Sequence, residues 1–133
     1  MRLRSKSSAA ATLAVAIGLF AGAAFAGAGD YVFEPVAAET KQGNGVTVAL
    51  KLVHKPTGKA VSGAVIFQTR IDMAPDGMAS MVSPVSPLPG GEDGVYAFKT
   101  DLPMTGRYLF SVAAKVPGEA ETVTGKVIFK AVK

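Results

Sequence analysis

Two-residue alternation of apolar side chains constrains this chain more than any other feature. In "VTVALKLVH" the residues Val46, Val48, Leu50, Leu52 and His54 share one parity, and in "GRYLFSVAAKV" so do Tyr108, Phe110, Val112, Ala114 and Val116. Side chains of a strand point alternately to its two faces, so each row is one face that seeks burial, whereas a helical period would scatter it. No stretch after residue 30 carries a convincing helical period. The apolar segments are separated by "KQGNG", "KPTGKAVSG", "PGGEDG" and "VPGEAE", where Gly, Pro and Asn favour turns. The chain therefore reads as all-β: "DYVFEPVAA", "VTVALKLVH", "AVIFQTRIDM", "MVSPVSPL", "GVYAFKT", "GRYLFSVAAKV" and "TVTGKVIFKAV". About seven short antiparallel strands at this spacing predict an immunoglobulin-like antiparallel β-sandwich.

Two of these segments bear on function. In "AVIFQTRIDM" the alternation predicts that Val65, Phe67, Thr69, Ile71 and Met73 share the apolar face, and the parity of Tyr108 extended backwards takes in Met104. In "MVSPVSPL" the prolines Pro84, Pro87 and Pro89 cannot donate to a ladder, so that segment belongs at a sheet edge.

The first 26 residues read differently. "MRLRSKSS" is a basic start, "AAATLAVAIGLFAGA" an apolar run, and "AFA" offers small residues ahead of a cleavage point after Ala26. Residues 1–26 are thus expected to be a signal peptide that exports the chain to the periplasm, leaving no stable membrane anchor after cleavage, and residues 27–133 a single domain. Without Arg2, Arg4 and Lys6 the 14 basic residues become 11, against 10 acidic ones, so nucleic-acid binding has no basic stripe to rest on. The chain has no Cys, which removes disulfides, thiolate ligands, thiol nucleophiles and a lipidated cysteine.

Apart from Met1 the chain holds four methionines, Met73, Met78, Met81 and Met104. Thioether sulfur is a soft, neutral donor suited to Cu(I) and poorly suited to Mg²⁺ or Ca²⁺. Whether the four can meet depends on topology. If residues 81–88 form a strand, "DLPMTG" arrives at the end of the sandwich that holds "KQGNG" and Met73, and Met104 joins the others. If residues 74–93 are one long crossing loop, Met104 falls at the opposite end with His54. A loop of that length without structure is uncommon, which favours the first arrangement. The competing expectation is packing, because Met fills irregular gaps and both Met73 and Met104 lie on core-facing parity.

The succession "SGAVIFQTRIDM", "DGMASM", a Pro-rich link, "GVYAFKTDLPMTGRYLFSV" and a final strand resembles the YtkA-like/FixH-like domain family over roughly residues 30 to 131. That resemblance implies a small exported β-sandwich associated with copper handling, heavy-metal efflux or cytochrome-oxidase maturation. It implies that Met73, Met78, Met81 and Met104 occupy the family's methionine positions, with Tyr108 where Trp is common. A Cu(I)-binding accessory protein, acting with an efflux-system or oxidase-assembly partner, is the function it leads one to expect. The alternative is a structural or protein-docking sandwich whose methionines only pack.

No enzyme is expected. His54 is the only histidine, so a His-based triad or two-histidine metal site cannot form within one chain. No G-x-S-x-G or S-x-x-K motif is present, and the scattered carboxylates do not define an acid and base pair. His54 with Glu92, Asp93, Glu119 and Glu121 forms a weaker candidate for a harder cation. The oligomeric state has no signature in the sequence.

Overall fold

The computed structural model describes residues 27–89 and 91–133; the signal-peptide reading of residues 1–26 lies outside the described residues. The strands are β1 (Tyr31–Pro35), β2 (Glu39–Lys41), β3 (Gly43–His54), β4 (Lys59–Ala60), β5 (Val65–Met73), β6 (Met78–Ser83), β7 (Val85–Leu88), β8 (Val95–Leu102), β9 (Gly106–Lys115) and β10 (Val123–Val132). They form two sheets. One has the order β1-β3-β8-β7 with β4 on β3, and the other β2-β10-β9-β5-β6. Phe33, Leu50, Leu52, Phe98, Leu102, Tyr108, Phe110, Val127 and Phe129 fill the space between the sheets. Among the described residues no helix is long and apolar enough to cross a membrane.

The sandwich follows the alternation where the alternation is regular. In β9, Tyr108, Phe110, Val112 and Ala114 are all buried, and in β3 Val48, Leu50 and Leu52 are. Phe110 meets Phe98 of the facing sheet edge to face at 5.1 Å between ring centroids, a favoured aromatic geometry. Tyr108 stacks on Phe129 of the neighbouring strand. The predicted segment over residues 81–88 is two strands in different sheets. β6 pairs with β5, and beyond Pro84 the chain crosses over so that β7 pairs with β8. Pro84 has no N–H to offer either ladder, which suits it to the crossing point, and β7 with Pro87 forms an edge as expected.

Three features depart from the sequence reading. β2 lies parallel to β10, so one pair in the sandwich is not antiparallel. β4 adds a two-residue rung to β3. The apolar row of β5 does not run inward along its whole length. A bulge between Ile66 and Gln68 shifts the pairing with β9, an extra residue that turns the strand's parity over. Ile71 and Met73 consequently point into the core, while Val65 and Phe67 are 62% and 54% exposed.

Candidate metal site

β5 and β6 meet at the upper end of the sandwich, the end that also holds Gly43 and Leu102, which pair with each other. After Met73 a 3-10 turn, Ala74–Asp76, with Pro75 in its first turn, is closed by Gly77 in the left-handed conformation (φ 78°, ψ 13°). The turn begins on a fixed point, because the buried Asp72 accepts the Ala74 N–H at 2.8 Å. Met78 then pairs directly with Met73, but the next rung joins Asp72 to Val82. Residues 79–81 are therefore compressed into a bulge between two adjacent rungs. Arg70 secures that bulge, its Nη2 donating to the Ala79 carbonyl at 2.9 Å while its Nε donates to Asp72 at 2.8 Å.

The loop bearing Met104 reaches the same end, between β8 and β9, and is clipped to the turn. Arg107 donates its backbone N–H and its Nε to the two carboxylate oxygens of Asp76, at 2.8 and 2.9 Å, and its Nη2 to the Pro75 carbonyl at 2.6 Å. From below, the Tyr108 hydroxyl donates to the Met104 carbonyl at 2.8 Å. Gly106 lies flat against the turn. A Cβ there would stand 2.6 Å from Asp76 Oδ2 and 2.7 Å from the Met73 methyl.

The four methionines thus differ in role. Met73 is 1% exposed and belongs to the core, as the parity predicts. Met78 is partly buried against that core. Met81 is 43% exposed on the bulge, and Met104 is 38% exposed on its loop, which corrects the core-facing parity expected for it. The strand parity fails at Met104 because Met104 precedes β9 and Gly106 (φ 144°) takes a backbone conformation that the parity of a regular strand does not include. The bulge and the clip bring Met73, Met78, Met81 and the Met104 loop to one end, while His54 lies at the other, its ring 5.1 Å from that of Tyr31. The clip and the bulge have no signature in the sequence, since Asp76 and Arg107 are 31 residues apart.

Electrostatically the upper end is settled without the sulfurs. The Arg107 backbone N–H and guanidinium hold the Asp76 carboxyl below its usual range. Burial would raise Asp72, but the Arg70 guanidinium, the Ala74 N–H and the charge of Lys126 outweigh it and hold that carboxyl low as well. Burial pushes the Tyr108 hydroxyl up, keeping it a donor. Apart from these engaged carboxylates, the same end carries the neutral thioethers of the methionines.

These carboxyls carry a prediction for the metal-free protein. A depressed folded-state value means that the unfolded chain binds more protons as pH falls below about 3.9, so the stability they contribute is present above that value and lost as pH falls through the folded-state values. Urea midpoints should hold between pH 7 and about 5 and drop below about 4, and Asp72→Asn should flatten part of that drop. An unchanged slope in the variant would count against the assignment.

At the lower end the harder-cation candidate does not assemble. Among the described residues no three of His, Asp and Glu gather. His54 Nδ1 is hydrogen-bonded to Thr57 Oγ1, and Glu119 accepts from the Tyr31 hydroxyl.

Two facing sheets with crossing connections and a methionine-bearing rim define an all-β, immunoglobulin-like sandwich. The chain belongs to the YtkA-like family, whose model matches residues 25–113. Among solved structures it is similar to a conjugative transposon lipoprotein from Bacteroides eggerthii, at 13% identity and a TM-score of 0.33, covering 78% of this chain and 98% of that one. It is also similar to titin domain M7, at 14% identity and a TM-score of 0.29, covering 74% and 95%. At these scores neither likeness adds to what the strand pairing shows. No curated protein matches the chain.

Proposed function

We propose that the protein is a non-enzymatic, exported Cu(I)-binding accessory protein of the periplasm, a carrier or buffer serving a heavy-metal efflux or oxidase-maturation partner. Its ligands are the thioethers of Met78, Met81 and Met104, with Met73 beneath them as the inner member of the set. The observation that carries this reading is the clip of Arg107 onto Asp76 and Pro75, which holds the Met104 loop against the turn that bears Met73 and Met78. Met81 and Met104 are exposed at the end where Met78 is partly buried, which supports the reading. Burial of Met73 is what favours the rival reading, a structural or docking sandwich with the methionines as adaptable filler.

Cu(I) transfer from a competing chelator separates the two. The purified protein should take up Cu(I) at a fixed stoichiometry, and Met78→Leu/Met81→Leu, which keeps the apolar volume, should weaken uptake by at least about tenfold if each lost thioether contributes about 1 kcal/mol. Affinity should change little between pH 7 and 5, because a thioether has no proton to release. Equal uptake by both proteins, or none by either, would overturn the proposal.

A further inference from the structure

The outer face of the β2-β10-β9-β5-β6 sheet carries a feature that involves none of the methionines. Because Tyr108, Phe110 and Val112 of β9 point into the core, Leu109, Ser111 and Ala113 point outward, and the pairing fixes their neighbours. Arg70, Ser111 and Lys126 stand in one row across β5, β9 and β10, and Gln68, Ala113 and Thr124 in the row below. In the row above, Val82, Asp72, Leu109 and Ile128 run across four strands. Small side chains in the middle strand, flanked by longer ones, leave a groove of about 780 Å³ lined by Arg70, Ser111, Ala113, Lys126 and Val82 among others. That volume is within the range of small-molecule sites.

The groove is chemically two-sided. Arg70 and Lys126 face each other across Ser111, their backbones about 10 Å apart from two strand spacings. Lys126 has no ion-pair or hydrogen-bond partner among the described residues, whose ion pairs are Arg70 with Asp72 and Arg107 with Asp76. Arg70 is held in place by the nearly buried Asp72 and by the Ala79 carbonyl, so its guanidinium is pre-set rather than free to swing away. Asp72, in the adjacent row, is already engaged by Arg70, so against it the two cations of this row leave one positive charge in excess. The adjacent row is apolar at both ends, with Val82 and Ile128 half exposed and Asp72 standing between Val82 and Leu109; of that row Val82 lines the groove, joined there by Val85.

We propose that this groove binds small amphiphilic carboxylates, with the carboxylate over Ser111 between Arg70 and Lys126 and a short apolar tail toward Val82 and Val85. Charge complementarity supplies the head site, and the apolar lining at Val82 and Val85 the tail site. The site uses no methionine, although Arg70 also secures the bulge that carries Met81.

Amide chemical shifts of the purified protein, titrated with sodium octanoate, octanamide and inorganic phosphate, test it. Octanoate should saturate and move the amides of residues 68–70, 111–113 and 124–126. Octanamide, which keeps the tail without the charge, should bind at least about fivefold more weakly, about 1 kcal/mol. Phosphate, which has charge without a tail, should not saturate over the same range. Lys126→Gln should weaken octanoate at least threefold, and Ser111→Leu, which fills the groove from the solvent side, should abolish its binding. Equal binding of octanoate and octanamide, phosphate matching octanoate, shifts mapping elsewhere, or an unaltered affinity in Lys126→Gln would each overturn the proposal. Lys126 is exposed and its side chain makes no ion pair among the described residues, so that variant decides the matter if Ser111→Leu fails to fold.

Discussion

Phe110→Ala is expected to lower the free energy of unfolding by about 3–5 kcal/mol, the range for aromatic truncation in a well-packed interior. Phe110 is fully buried at the middle of β9, the strand that lies between β5 and β10, and its ring is the edge-to-face partner of Phe98 in the other sheet. Truncation removes the apolar area of one side chain, leaves a cavity that backbone ladders on both sides cannot close, and strands one face of Phe98. The chain has no disulfide to limit its unfolded state. Since domains of this size are stable by about 5–15 kcal/mol in total, the variant should unfold at markedly lower urea concentration with an unchanged slope. A loss below about 1 kcal/mol would mean that the two sheets do not meet through this residue.

Gly106→Ala is the second large effect, and it falls at the rim. Residue 106 combines a φ of 144° with a position where a Cβ would lie 2.6 Å from Asp76 Oδ2 and 2.7 Å from the Met73 methyl. The backbone conformation alone costs about 1–3 kcal/mol in an L residue. Relief of the clash requires the Asp76 carboxylate to leave its seat on Arg107 or Met73 to leave its rotamer, so a total of about 2–4 kcal/mol is expected. Gly77→Ala is the control. It also has positive φ, 78°, but a Cβ there meets nothing within 4 Å, so only the backbone cost of about 1–2 kcal/mol applies. Urea unfolding of both variants checks this, and equal losses would show that the close approach at Gly106 is not tight. If the Met104 loop is a ligand carrier, Gly106→Ala should also weaken Cu(I) uptake more than Gly77→Ala does.

The parts of this fold legible in the sequence are those where one period holds without interruption. β3 and, apart from the small Ala113 on the outer face, β9 place their buried residues on the parity that alternation assigns them. β5 does not, because the bulge between Ile66 and Gln68 inserts a residue that no local pattern announces, and Phe67 goes to solvent instead of the core. The prolines marked residues 81–88 as an edge, yet the crossing at Pro84 from one sheet to the other depends on which strands were free to receive each half. At the rim, adjacency of Met73 and Met78 is a local matter of one turn and could be read. The exposure of Met104 and the clip that holds its loop depend on Asp76 meeting Arg107 across the sandwich, and such long-range pairs leave no trace in spacing.

The parallel rung between β2 and β10 has a kinetic consequence. Glu39 pairs with Lys130 and Lys41 with Val132, so residues near the start of the sandwich wait for residues at its far end before they have a partner. Pairings of such long sequence separation slow folding, toward the millisecond-to-second range of all-β domains. The short rung can therefore form only once the last strand is in place.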